Sequence, residues 1–284
     1  TNLRKGYDLA ANRYATTWSE IDVGCEACHG PGSRHAAWAD AAARGEKNST
    51  VADFGLVARL QQGEAARWVL DDGAAIAHRV PPRSEQMELE TCAPCHARRS
   101  TLRETRLPGE SLLDTHRPSL LEPGLYEADG QMRDEVYDYG SLLQSRMHAA
   151  GVACSDCHDP HSTKLRAEGD ALCGQCHRST VYATQEHHRH EEASAGARCV
   201  ACHMPTRTYM TVDVRHDHSF RVPRPDLSVA IGTPNACNDC HGDRNAKWAA
   251  AAVAQWFPAG RSGQPHYGEA LHAGRNGSPG AADD

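Results

Sequence analysis

The stretch GVACSDCHDPHSTKLRAEGDALCGQCH, residues 151–177, spends four cysteines and three histidines in 27 positions and offers little apolar surface to bury. In it, the second cysteine of each pair is followed directly by histidine. The same C-x-x-C-H spacing recurs along the chain, at Cys25-Cys28-His29, Cys92-Cys95-His96, Cys154-Cys157-His158, Cys173-Cys176-His177, Cys199-Cys202-His203 and Cys237-Cys240-His241. These six segments use all 12 cysteines of the 284 residues.

Disulfides or zinc would explain the cysteines but leave the histidines unexplained, since zinc knuckles need no histidine after each second cysteine. Six C-x-x-C pairs would each be followed by histidine by chance at odds of about one in ten million, and the spacing is that of covalent haem attachment. Two thiols three residues apart lie on one face of a helical turn, so both can form thioethers with the vinyl groups on one edge of a haem. The next residue then faces the iron. Six haem c groups are expected, with His29, His96, His158, His177, His203 and His241 as proximal iron ligands.

Composition fits that reading. The chain is 39% hydrophobic but only 6% aromatic, with 24 glycines and 15 prolines, poor material for a conventional core of this length. A mainly α fold with long loops and little β is expected, packed around its haems. The formal charge of −7 becomes more acidic once propionates are added, which argues against nucleic acid as a partner. No run of 18 apolar residues marks a membrane span, and the N-terminus TNLRKGYDLA has no hydrophobic signal region. Because haem is attached to C-x-x-C-H outside the bacterial cytoplasmic membrane, a periplasmic or cell-surface location is expected, with the export signal upstream of this segment.

Twelve histidines lie outside the motifs, twice what six bis-histidine haems require. His35 follows the turn Gly30-Pro31-Gly32, with Ser33 as a helix cap and Trp38 on the same face. His148 lies on the helical stretch GSLLQSRMHAAG, and His161 follows the third motif in CHDPHS. In QEHHRHEE, His187 and His190 share a face at helical spacing while His188 does not. His218 follows the strand TYMTVDV and is preferred to His216. These six, His35, His148, His161, His187, His190 and His218, are the expected distal ligands. His78, His116, His266 and His272 read as surface residues.

Three zones are expected in a hexahaem domain over residues 1–257. Residues 1–110 hold two motifs and a helical stretch LVARLQQGEAARWVL, residues 111–140 are a haem-free connection with a turn or hairpin near Gly130, and residues 141–257 hold four motifs. The last zone ends in an Ala-rich helix, DRNAKWAAAAVAQWF, with Trp248 and Trp256 on one side. The Gly/Pro/Ala-rich tail, 258–284, reads as a linker.

The runs VGCEACHGPGSRHAAW, ETCAPCHARR, GVACSDCHDPHSTKLR, CVACHMP, DHSFRVPRPDLS and TPNACNDCH resemble the multihaem cytochromes c of the doubled-CXXCH type, in particular bacterial members with a C-terminal tetratricopeptide-like repeat region. The resemblance spans nearly the whole chain. It implies an interior segment, with further haem sites upstream and helical repeats downstream.

Electron transfer through six mostly bis-histidine haems is the expected function, with redox proteins as partners: other cytochromes, a quinol-linked donor or a terminal reductase. An electron carrier, rather than an enzyme, is the first reading. The alternative is a multihaem reductase of small nitrogen or sulfur compounds, which needs one open haem. A third class is a haem sensor or scaffold whose repeats bind a partner. No G-x-S-x-G, H-E-x-x-H or G-x-x-x-x-G-K motif competes, so no other catalytic residues are expected.

Overall fold

The computed structural model describes residues 2–46, 54–60, 66–84, 86–279 and 281. The chain falls into two compact units, Thr1–Ala66 with Arg83–Pro118, and Arg67–Pro82 with Ser119–Asp284. Among the described residues, short helices and five two-stranded antiparallel sheets make up both. The fold is mainly α with long loops, as the composition implies. No helix among the described residues is long and apolar enough to cross a membrane.

In the first unit, residues 2–23 are exposed throughout, around the hairpin Tyr7–Asp8 and Arg13–Tyr14. Helix Cys25–His29 carries the first motif and stops at Gly30, whose φ of 76° and close approach to Val57 leave no room for a Cβ. Helix Ser33–Ala43 follows. Its N-cap is Gly32, so Ser33 is the first helical residue rather than the cap. Helix Met87–His96 carries the second motif and buries Leu89 and Ala93, while Leu112 is fully buried. The Glu90 carboxylate accepts from the Leu112 amide, and Arg106 donates to the Glu90 and Glu110 carbonyls at 2.5 and 3.0 Å. His116, expected at the surface, is instead 7% exposed, because the strand His116–Pro118 pairs with Arg99–Thr101 and turns its ring onto the Thr115 hydroxyl.

In the second unit, Tyr126, Met132, Val136 and Tyr209 form the apolar centre, with Leu121 and Leu125 against it. A tight turn at Gly130 brings Tyr126 opposite Met132. The helix expected over residues 56–70 is not formed where the chain is described. Residues 61–65 lie outside the described residues, and Arg67–Val69 is a strand paired with His78–Val80, as its Trp and Val favour. GSLLQSRMHAAG is broken into two helices, Tyr139–Leu143 and Arg146–Ala149, because Ser145 takes an extended conformation and caps the second through the His148 amide. The single strand expected at TYMTVDV is a hairpin, Thr206–Tyr209 with Asp213–His216, turned by Met210 and Thr211 at positive φ.

The Ala-rich helix runs over Ala246–Trp256, capped by the Asn245 side chain on the Trp248 amide, and packs on helix Pro225–Ile231. The tail does not behave as a linker. Tyr267–Arg275 is a helix whose Tyr267 hydroxyl donates to the Asp129 carbonyl at 2.7 Å and whose Arg275 donates to the Leu121 and Tyr126 carbonyls at 2.6 and 3.2 Å. Low apolar content concealed this element, which is fastened by polar contacts instead. Among the described residues, eight of the 17 buried apolar residues are alanines, so the side-chain core is thin.

Candidate haem-binding sites

Each motif sits on a helical turn with local polar clamps. In the third, Asp156 accepts from the Ala153 amide at 2.7 Å and the Trp68 indole at 3.0 Å. The fourth is gripped by the loop before it in space: the Ala77 amide donates to the Cys176 carbonyl at 2.8 Å, and Arg178 donates to the Ala74 and Asp71 carbonyls. Asp170 accepts from the Cys199 amide at 3.1 Å to open the fifth. In the sixth, Asn235 accepts from the Asn238 amide at 3.2 Å, and the Asn238 side chain reaches the Arg244 carbonyl at 2.9 Å.

The motifs neighbour one another in chain order within each unit. In the first unit, burial raises the Cys28 thiol pKa, and Cys95 and Cys25 push in the same direction, so motifs one and two lie side by side. In the second, burial pushes Cys157 up to about 11, with Asp156 and then Cys173 and Cys176 adding to it. The Cys173 and Cys199 thiols interact directly, and that contact together with burial raises the Cys199 pKa. Cys202 is raised by burial and then by Cys237 and Cys240. Motifs three, four, five and six therefore form an unbroken series.

Three proximal-type histidines face expected distal ones. His187 stands 6.1 Å from His203, ring centroid to centroid, with 12° between planes; His158 and His218 are 6.3 Å apart at 28°; His190 and His241 are 6.2 Å apart at 31°. Two imidazoles bound on opposite sides of one metal, with bonds of about 2 Å and a ring radius of about 1.2 Å, would have centroids about 6.4 Å apart. The donor set fits a haem iron.

The second ring nitrogen supports the same fit. A carbonyl only accepts, so an Nδ1 bonded to one carries the proton and leaves the Nε2 lone pair for a metal. His203 Nδ1 meets the Arg221 carbonyl at 2.6 Å, His190 meets that of His188 at 2.5 Å, and His218 meets that of His216 at 3.0 Å and Asp138 at 2.9 Å. One member of every pair is anchored this way. Burial, followed by the neighbouring His203, His188 and His177 rings, lowers the His187 pKa, which keeps that imidazole neutral as ligation requires.

The structure places the other expected residues as follows. His35 shares a helix face with Trp38, their rings 5.6 Å apart, and its Nδ1 meets the Phe54 carbonyl at 2.7 Å; His29 Nδ1 lies 3.4 Å from the Ala58 carbonyl. His96 ends its helix with an exposed side chain. His148 is half-buried on Arg146–Ala149, and His161 lies exposed in the turn between strands His158–Asp159 and Lys164–Leu165, 4.0 Å from Asp159. The ring against His177 is Tyr182, not an imidazole. His187 and His190 were expected to share a helix face. The helix ends at His188, Arg189 turns the chain at φ 61°, and the two histidines go to different partners, His203 and His241.

Sequence reasoning missed Asp138 and Tyr182. Nothing local marks Asp138, which reaches His218 from a distant loop. Tyr182 lies midway between His177 and His187, a symmetry that the sequence did offer. His216, passed over for His218, anchors its Nδ1 on the Met204 carbonyl at 2.7 Å but stays exposed.

Residues 147–181 match the family model of the doubled CXXCH motif. The fold is similar to that of the outer cell wall cytochrome OcwA, with a TM-score of 0.50 and 17% identity over 98% of this chain and 71% of that one. No curated protein matches the chain in sequence. The motif and the likeness of fold support a multihaem c-type cytochrome, a class that binds haem c and transfers electrons.

Proposed function

We propose that the chain carries six covalent haems over residues 1–257, two on the first unit's motifs and four on the second's, and passes electrons along each series outside the cytoplasmic membrane. Cys25, Cys28, Cys92, Cys95, Cys154, Cys157, Cys173, Cys176, Cys199, Cys202, Cys237 and Cys240 would hold the porphyrins. His29, His96, His158, His177, His203 and His241 would be proximal ligands. The observation that carries this is the set of three facing imidazole pairs, His158 with His218, His203 with His187 and His241 with His190, each at the spacing of two ligands on one iron. His35, His148 and His161 are the distal candidates for the remaining sites.

When bound, the haem irons supply one-electron redox chemistry. The protein's residues would orient the imidazoles, with Nδ1 held on the Arg221, His188 and His216 carbonyls and the Asp138 carboxylate so that Nε2 faces the metal. A pyridine haemochrome assay with EPR of the oxidised protein tests the proposal: six haems, mainly low-spin, are expected. Redox proteins at the cell exterior are the proposed donors and acceptors.

One observation favours a second reading. Among the described ring contacts His177 meets only Tyr182, edge to face, and no facing imidazole, so the fourth site is where an open iron, and with it a reductase of small nitrogen or sulfur compounds, would be sought. A high-spin EPR signal that changes with nitrite, hydroxylamine or cyanide would move this reading first.

A further inference from the structure

Tyr182 makes the same contact twice. Its ring lies 5.5 Å from His177 at 84° and 5.2 Å from His187 at 86°, edge to face on both sides. Such a geometry is the favoured one for aromatic pairs. His177 belongs to the fourth motif. His187 faces His203 of the fifth, 6.1 Å away. Ring contacts thus run from His177 through Tyr182 and His187 to His203, connecting one motif to the next.

The backbone fixes this line. Tyr182 ends the helix Ser179–Tyr182, its amide on the Arg178 carbonyl at 3.1 Å, and Arg178 is tied to the Asp71 and Ala74 carbonyls. Thr184 then caps Gln185–His188 through the His187 amide. Phe257 also packs on His187, its centroid 6.2 Å away.

We propose that Tyr182 is a positioning residue that locks the ligand imidazoles of sites four and five against each other and forms the packed side-chain path for the electron between them. This rests on the reading that both motifs hold haem. In each transfer, one iron passes from ferrous to ferric and the other from ferric to ferrous. Tyr182 itself is neither oxidised nor deprotonated, and no bond forms or breaks. The contact is made by the ring, so phenylalanine would serve as well and an aliphatic residue would not.

The test compares Tyr182→Phe and Tyr182→Leu holoproteins with the wild type. Mass spectrometry of motif-bearing peptides first establishes whether motifs four and five carry haem. If they do not, the reading beneath the proposal fails, and the proposal with it. With both loaded, Y182L is expected to shift two EPR signals, since ligand-plane orientation sets them, and to slow the transfer between the sites after flash photoreduction. Y182F is expected to match the wild type in both. An unchanged Y182L, or a Y182F as perturbed as Y182L, overturns the proposal while leaving the haem assignment intact. Should Y182L fail to take up haem, NMR of the reduced wild type decides. Tyr182 ring resonances, assigned by their loss in Y182F, must be shifted upfield with cross-peaks to both histidines, and their absence overturns the proposal.

Discussion

Replacing His187 by glycine removes one ring from the best-aligned pair, in which the His187 and His203 centroids lie 6.1 Å apart with 12° between planes. One haem of six would lose a distal ligand, so about one sixth of the low-spin ferric EPR intensity should convert to high-spin signal. The glycine costs the short helix Gln185–His188 about 0.4 kcal/mol relative to histidine, and haem attachment at the other motifs should be unaffected. The space opened opposite His203 has the dimensions of an imidazole ring, so added imidazole should restore the low-spin spectrum. EPR, with haem content measured on the same sample, gives the answer. A control at the exposed His78, His78→Gly, should leave the spectrum unchanged. A fully loaded H187G protein that stayed low-spin would refute the pairing of His187 with His203.

Further outcomes follow from the packing. Leu112 is fully buried beside helix Met87–His96, so Leu112→Ala should lower unfolding free energy by about 3 kcal/mol, read as an earlier urea midpoint. Asn235 caps the helix that carries Cys237 and Cys240; Asn235→Ala should cost about 1 kcal/mol and lower haem loading at that motif. Burial opposes ionisation of Asp226, but hydrogen bonds from Arg224 and the Gly263 amide outweigh it and hold its pKa below the ordinary carboxylate value. Its contribution is therefore complete above the unfolded carboxylate pKa and is lost as pH falls through the lower folded value. Asp226→Asn should flatten the stability profile below about pH 4, as followed by thermal melts. Protein made without haem attachment, with all twelve cysteines changed to serine, should be protease-sensitive and lack near-ultraviolet dichroism, because the buried apolar set is small and rich in alanine.

The motifs were legible because their chemistry is local: cysteine, cysteine and histidine at fixed spacing on one helical turn. The paucity of large apolar residues announced short helices and long loops for the same reason, since there is little for a long amphipathic helix to bury against. Partner choice was less legible. His187, His190 and His218 were singled out from their context, yet which motif histidine each faces depends on folding over distance. The turn at Arg189 sends His190 to His241 while His187 goes to His203. Elements held by polar contacts escaped altogether: helix Tyr267–Arg275 is secured by Tyr267 and Arg275 on distant carbonyls, which no periodicity reveals. His116 was misread because its burial comes from a strand pairing, Thr101 with His116, across a loop whose closure no local pattern announces.

The most direct test of the central claim is the intact mass of the holoprotein under denaturing conditions. The account predicts the 30.8 kDa chain carrying the added mass of six haems, retained because each is bound by thioethers. A smaller number of retained haems, or none, would contradict it.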